Sequence, residues 1–510
     1  MFSENSTNDG DGTSELPAGA TLAALDLGSN SFHLIIARFE HDELRVIETL
    51  AEKVQLGAGL KNGQLDGAAI ERGLECLARF KQVLDSVEPY RTRVVGTNAL
   101  RKARNRRDFT GPAQRLLGTP VDVIYGREEA RLVYLGVAHS LADDKQSRLV
   151  VDIGGGSTEF IVGERFETRE LDSLQLGCVS HNSRHFGNGK ISKRRYRSAY
   201  TAARLEVSRV RRIYQAGNWQ EAVGSSGTLQ AIESLLQIHG WSELGITREG
   251  LNKLEQKLLS FSNLDEIDIE GLTENRRNVI LSGTAITSAL FDELEITVMR
   301  TSPGALREGV LYDLLGRLSH EDVRERSIQA LSQRYGVDQS TAELVQQRAR
   351  VLYLATRKGW KLDKSDWKLL RWASLTHEIG MAMSHKKYNQ HGAYVLRASD
   401  LPGFSQDEQE TLALLVLCHR RGIAASSFSR WEQTAKLHIL RLICLLRLAS
   451  LFKYVEQLEY LPEFRVHAED TSLNLEFPSG WLVQHPQTMQ SLKQEKTVLA
   501  KAGLKLHVSG

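Results

Sequence analysis

Two short stretches constrain this chain more than any others. Leu25-Asp26-Leu27-Gly28-Ser29-Asn30-Ser31 sits between apolar runs, the second being Phe32 to Ala37. Val150-Val151-Asp152-Ile153-Gly154-Gly155-Gly156-Ser157-Thr158-Glu159-Phe160 repeats the design. Each reads as strand, tight turn, strand, with an acidic residue before a turn of glycine and small polar residues. Glycine lets the backbone approach a ligand closely, and small side chains leave amides and hydroxyls free to face it. Two such units with Asp and Gly at matching places predict a duplicated α/β domain with one phosphate-handling cleft between the copies.

The surrounding pattern supports the duplication. Around the first turn, strands are predicted near 22–26, 32–39 and 44–50, a helix near 67–86, and strands near 93–97 and 121–125. Gly96-Thr97-Asn98-Ala99-Leu100-Arg101 and Gly126-Arg127-Glu128-Glu129-Ala130-Arg131 follow the last two strands and open helices. Around the second turn, strands near 147–152, 159–162 and 169–174 precede a long basic helix near 193–215. Gly224-Ser225-Ser226-Gly227-Thr228 then ends a strand and opens a helix. Further helices are predicted near 275–292 and 304–316, with a strand near 296–299 between them. Loops at the carboxyl ends of strands are where open α/β sheets commonly bind ligands. Beyond about 320 glycine thins out and helical periodicity dominates, over 322–335, 338–357, 364–382, 388–398, 406–418 and 434–455. Alternation at Phe464–Val466 and Leu473–Phe477 closes the chain.

Composition narrows the class. The chain has 510 residues, is 41% hydrophobic and 25% charged, and carries a net charge of +2, ordinary values for a globular protein with real cores. Near-zero net charge predicts no specific nucleic-acid partner, so binding of a polyanion must use local clusters such as Arg101–Arg107, Lys190–Arg197 and Arg209–Arg212. The four cysteines are scattered without a CxxC pair, which fits a reducing compartment and no zinc ribbon. Residues 1–18 are polar and read as a disordered tail, not a signal peptide. The purest late apolar run, Leu412 to Cys418, is too short to span a bilayer. A cytoplasmic enzyme is the expectation, with peripheral contact at the inner membrane left open.

The paired loops place Asp26 and Asp152 to hold a divalent cation, Mg²⁺ through water, beside phosphates bound by loop amides. The chain resembles the acetate kinase, sugar kinase, Hsp70 and actin superfamily in this loop pairing. More closely, it resembles the exopolyphosphatase/guanosine pentaphosphate phosphatase family in its long form. The residues that carry the resemblance are Ala24–His33, Val95–Arg101, Gly126–Arg131, Asp152–Glu159, Gly224–Thr228 and Gly304–Leu311. It implies an α/β fold of duplicated ribonuclease H-like, actin-like ATPase lobes, then an all-α HD-like domain and a small α+β C-terminal cap. The expected bounds are tail 1–18, lobe I 19–140, lobe II 141–318, helical domain 319–458 and cap 459–510.

The resemblance also implies roles. Phosphoanhydride hydrolysis needs a charge clamp, an in-line water and a base. Glu129 matches the family's catalytic glutamate, with Glu128 the neighbouring alternative; a helix turns about 100° per residue, so only one faces the water. Substrate phosphates are expected at Gly28, Ser29, Asn30, Ser31, Arg101, Gly155, Gly156, Ser157, Thr158, Gly224, Ser225, Ser226, Gly227 and Thr228. Asp26, Asp152 and Glu159 are the expected metal residues. Arg307 and Glu308 are as fit for locking the last helix as for the site. His377-Glu378, with His385, His391 and His419, lacks the upstream His and the His-Asp pair of a working HD site, so that domain is expected to be non-catalytic, serving a polyphosphate track or a dimer interface. The expected activity is an exopolyphosphatase using Mg²⁺, with K⁺ stimulation open, as a homodimer. The triple glycine at 154–156 inclines the choice toward polyphosphate. The alternative substrate is guanosine pentaphosphate. From other classes, an ATP-dependent small-molecule kinase and a non-catalytic alarmone sensor are the rivals.

Overall fold

A computed structural model of the chain describes residues 16–17, 19–40, 43–141, 146–318, 322–452 and 464–510. The expected tail, 1–18, lies outside them apart from Leu16 and Pro17. The chain divides into two compact units, Met1–Val323 and Arg324–Gly510.

The first unit holds two sheets of like construction. In the first, β1 (Thr21–Leu27), β2 (Ser31–Glu40) and β3 (Glu43–Lys53) form an antiparallel meander. The two-residue strands β4 (Leu60–Lys61) and β5 (Gln64–Leu65) make a small separate ladder before helix α1 (Gly67–Val87). Strands β6 (Arg91–Gly96) and β7 (Val121–Val123) then extend the first sheet in parallel, giving the order β3-β2-β1-β6-β7. Helices α2 (Asn98–Lys102) and α3 (Arg107–Leu117) join those two strands, and α4 (Gly126–Ser140) follows the second.

The second sheet repeats the scheme. Strands β8 (Ser147–Ile153), β9 (Thr158–Glu164) and β10 (Glu167–Leu174) form the meander. After α5 (Cys178–Phe186), α6 (Lys193–Val207) and α7 (Arg211–Tyr214) comes β11 (Glu221–Gly224), which opens α8 (Gly227–Ile238). Then follow β12 (Ile246–Thr247), α9 (Arg248–Leu258), α10 (Glu274–Leu294), β13 (Val298–Thr301) and α11 (Leu306–Leu318). The order is β10-β9-β8-β11-β13-β12. The predicted long basic helix is thus two helices. Buried Tyr214 ends the second of them, tilted against Phe160 with ring centroids 5.6 Å apart and donating to Asp172 at 3.1 Å.

Helices α4 and α11 lie between the sheets and share a core with β1, β2, β8 and β9 through residues such as Leu22, Ile35, Val133, Val150, Ile161 and Val310. Their backbones touch. A Cβ on Gly309 would stand 1.7 Å from the Leu132 carbonyl oxygen, so only glycine permits this crossing.

The second unit carries α12 (Val323–Arg334, whose first residue closes the first unit), α13 (Gln339–Trp360), α14 (Lys364–Thr376), α15 (Tyr388–Ala398), α16 (Gln406–Cys418) and α17 (Gln433–Phe452). A sheet in the order β14 (Arg465–Glu469), β15 (Ser472–Glu476), β16 (Lys505–Ser509) follows, with α18 (Trp481–Gln484) and α19 (Pro486–Ala502) before its last strand. Leu473, Leu475 and Leu506 of that sheet are buried in one cluster with Trp360, Leu415 and Leu446 of the helices, so helices and terminal strands share a single core. His377 and His419 are buried there edge to face, ring centroids 5.5 Å apart. Each Nδ1 donates to a carbonyl one turn back, Ser374 at 2.7 Å and Val416 at 2.6 Å. No helix among the described residues is long and apolar enough to cross a membrane.

Candidate active site

The duplication extends to single residues. In the first hairpin Leu27 pairs with Phe32 and Asp26 with His33; in the second Ile153 pairs with Thr158 and Asp152 with Glu159. Each hairpin closes through four residues, Gly28–Ser31 and Gly154–Ser157. Each turn is pinned from behind. Gln55 and Gly57 N–H groups donate to Asn30 and Ser29 carbonyls at 2.8 Å, and Cys178 and Val179 N–H groups donate to Gly154 and Gly155 carbonyls at 2.9 Å. A trans peptide sets its N–H opposite its C=O, so the amides of Asn30, Ser31, Gly155 and Gly156 point the other way.

Residues of both turns line a cavity of about 310 Å³ between the sheets. It is lined by Asp26, Gly28, Ser29, Asn30, Ser31, Glu129, Asp152, Gly155, Gly156, Ser157, Ser225, Ser226, Gly227 and Thr228. The two turns nearly meet. A Cβ on Gly155 would lie 3.2 Å from Ser29 Cβ, and one on Gly156 would lie 2.6 Å from Asn98 Oδ1. Close approach of the lobes therefore accounts for Gly155 and Gly156, so the run loses its value as a sign of polyphosphate.

Four of the expected residues stand back from the cavity lining. Strand alternation turns Thr158 away, and its hydroxyl donates to the Leu176 carbonyl. Glu159 shares the face of Asp152 but is buried and accepts from Ser173 at 2.8 Å. Gly224 ends β11, where a Cβ would meet Leu229. Arg101 lies behind Glu129, its Nη1 donating to Glu129 Oε2 at 3.0 Å and to the Ile124 carbonyl at 2.8 Å.

Glu128 and Glu129 are separated by the turn of their helix. Arg131 holds Glu128 with two bonds of 2.8 Å, while Glu129 lines the cavity. The carboxyls around the cavity resist ionisation. Burial and the charges of Glu129 and Asp152 hold Asp26 well above the usual range. Burial raises Asp152 to about 6, opposed by the Ser225 hydroxyl that donates to it at 2.7 Å, while Glu129 adds to the rise. Burial raises Glu129 too, with Arg101 pulling it back. Glu159 is raised by burial and by Glu129 and Asp152.

The cavity also takes Arg307, which the sequence left between a site role and a structural one, and two residues that the sequence did not single out, His33 and Arg276. His33 lies two residues beyond Ser31, and the alternation that turns Ser31 inward turns His33 inward as well. Burial, then Arg307 and Arg276, lower its pKa to about 4, so it is neutral and its Nδ1 can accept from Arg307 Nη1 at 3.3 Å. Arg307 lines the cavity and is held by Glu308 at 2.7 Å; Glu308 also accepts from the Ala305 N–H at 2.8 Å and so caps α11. Arg276, in the first turn of α10, lies where a Gly227 Cβ would stand and brings a cation to the open end of α8. No local pattern distinguishes it from a solvated arginine. In the cluster Arg209–Arg212, Arg209 pairs with Glu206 and Arg211 with Glu295 on the surface.

Asp26 Oδ1 is buried without a hydrogen-bond partner. Among the described residues no three His, Cys, Asp or Glu side chains group closely enough to coordinate a cation directly. An unpartnered Asp26 oxygen among mutually repelling carboxyls would suit a hard cation held through water better than one bound directly. The cavity thus joins acids poised for a proton, amides and arginines for anions, and a place for positive charge.

The model of the Ppx/GppA phosphatase family matches residues 35–318, and that of Ppx/GppA phosphatase domain III matches 323–496. The guanosine-5'-triphosphate,3'-diphosphate pyrophosphatase of Pseudoalteromonas translucida is 37% identical over 497 residues, 97% of this chain and 99% of that protein. The protein of the same name from Aeromonas hydrophila is 37% identical over 483 residues, 94% and 97% of the two. In fold, the chain is similar to an exopolyphosphatase of Cytophaga hutchinsonii, with a TM-score of 0.54 and 23% identity, over 58% of this chain and 98% of that one.

Proposed function

The chain belongs to the Ppx/GppA phosphatase family, and from that membership we propose that it hydrolyses the terminal 5′-phosphoanhydride of guanosine pentaphosphate, releasing orthophosphate and guanosine tetraphosphate. The observation that carries the reading is the meeting of Glu129, Asp26 and Asp152 with two facing amide turns in one cavity. The choice of substrate is supported by likeness along nearly the whole chain to proteins named for guanosine pentaphosphate. The preference for polyphosphate drawn from the glycine run gives way to it.

In this reading the amides of Asn30, Ser31, Gly155 and Gly156, with Arg276 and Arg307, hold the phosphate oxygens. Oriented hydrogen-bond donors of this kind stabilise the charge that phosphoryl transfer spreads over those oxygens. Water attacks the terminal phosphorus in line with the bridging oxygen. Glu129 accepts a proton from that water, the bond to the bridging oxygen breaks, and guanosine tetraphosphate leaves with the bridging oxygen's charge. A pKa raised toward the working pH suits a general base, and Arg101 keeps the carboxylate available by favouring its ionised form. Magnesium held through water by Asp26 and Asp152 would offset the charge of substrate and carboxylates.

Long polyphosphate is the second reading, favoured by the nearness of Arg101 and Arg184 to Lys102, whose pKa burial lowers first and those two charges lower further. Phosphate release from guanosine pentaphosphate and from long polyphosphate, under one set of conditions, separates the two. Higher kcat/KM on the nucleotide is expected. Turnover of polyphosphate with none of the nucleotide would overturn the choice.

A further inference from the structure

A second, buried ion cluster contributes no residue to the cavity lining. Its hub is Asp313 on α11, which is 6% exposed. Asp313 Oδ1 accepts from Arg131 Nη2 at 2.5 Å; Oδ2 accepts from Arg93 Nη1 at 2.5 Å and from Arg317 Nε at 2.7 Å. Arg131, on α4, spends its other bonds on Glu128, and Arg93, on β6, reaches Asp122 at 3.4 Å. Three cations thus face three anions. Despite burial, the guanidiniums of Arg131, Arg317 and Arg93 hold the Asp313 carboxyl far below the usual range.

We propose that Asp313 is a positioning residue for hydrolysis: through Arg131 it fixes the rotation of the first turn of α4, which draws Glu128 toward α11 and presents Glu129 to the cavity. The inference rests on Glu129 being the base. The geometry supports it in three ways. Glu128 and Glu129 are adjacent, so any rotation that relaxes one swings the other by the same angle. Gly309 lets the two helices touch, so α11 is a rigid backstop for α4. Arg131 binds Glu128 and Asp313 through the same Nη2, so the position of Glu128 depends on the hub. A shift of about 1 Å at a reacting group is enough to cost about 100-fold in rate. The hub holds Arg131, two residues along α4 from Glu129, where such a shift would arise.

The full chain carrying Asp313→Asn, Asp313→Glu or Arg131→Lys is compared with wild type and Glu129→Gln by circular dichroism, by kcat and KM for guanosine pentaphosphate, and by the pH profile of kcat. Asp313→Asn and Arg131→Lys are expected to fold, to lose about 30-fold or more in kcat with KM within about threefold, and to move the acid limb of the kcat profile, because the surroundings of Glu129 change. Asp313→Glu, which keeps the charge, is expected to recover part of kcat and the wild-type limb. If Asp313→Asn does not fold, Arg131→Lys, which keeps its cation but loses the forked bond, decides. A folded hub variant with wild-type kcat and acid limb, beside an inactive Glu129→Gln, would overturn the positioning role alone. Wild-type kcat in Glu129→Gln would overturn the base on which it rests.

Discussion

Replacing Asp152 with Asn is expected to stabilise the metal-free protein while abolishing its activity. Asp152 carries its charge in a poorly solvated cleft, near Glu129, with one hydroxyl donor from Ser225. Its pKa is 3.8 when unfolded and about 6 when folded. The folded protein therefore holds the proton more tightly, and wild type loses stability as pH rises from about 4 to about 6, and the loss is complete above that. A difference of about two in pKa corresponds to at most about 3 kcal/mol. Asn removes the charge and keeps an oxygen to accept from Ser225. Unfolding by urea, with chelator present, is expected to show Asp152→Asn more stable than wild type by up to about 3 kcal/mol at pH 7.5, with the gap closing near pH 4. Phosphate release should fall by about 100-fold or more. Equal or lower stability of the variant at pH 7.5, or a gap that persists unchanged at pH 4, would refute the idea that this carboxylate is strained by burial and repulsion.

Other expectations follow from the same geometry. Arg101→Gln removes the cation that keeps Glu129 ionised, so the acid limb of the kcat/KM profile should move to higher pH; an unmoved limb would break the link between them. Gly309→Ala puts a methyl 1.7 Å from a backbone oxygen, and thermal unfolding should show a loss of about 2 kcal/mol or more; wild-type stability would mean the helix crossing is slack. Chelation should abolish phosphate release and added Mg²⁺ restore it, while Mg²⁺ should raise the melting temperature of wild type more than that of Asp152→Asn; activity persisting in chelator would count against the ion.

Much of this was legible in the chain. The duplicated hairpins follow from apolar alternation and four-residue polar turns, which are local. The face that each turn residue takes follows from the period of two, although hydroxyl chemistry alone misjudged Thr158, which bonds to Leu176 behind the sheet. Helices α5, α9 and α19 left weaker traces, since Cys178–Phe186 contains few apolar residues and owes its place to the glycine turn that its first N–H groups bind. Arg276 and His33 meet across widely separated segments, so their shared role at the cavity depends on tertiary packing that no local pattern encodes. The same holds for Asp313. Its sequence surroundings suggest a helical surface acid, and only the crossing of α4 and α11 gathers three arginines around it.

The most direct test of the account is the rate of orthophosphate release from guanosine pentaphosphate by Glu129→Gln beside wild type, with KM measured for both. Loss of a positioned general base predicts a fall in kcat of at least about 100-fold with KM little changed. A folded Glu129→Gln that turns over at the wild-type rate would contradict the account at its centre.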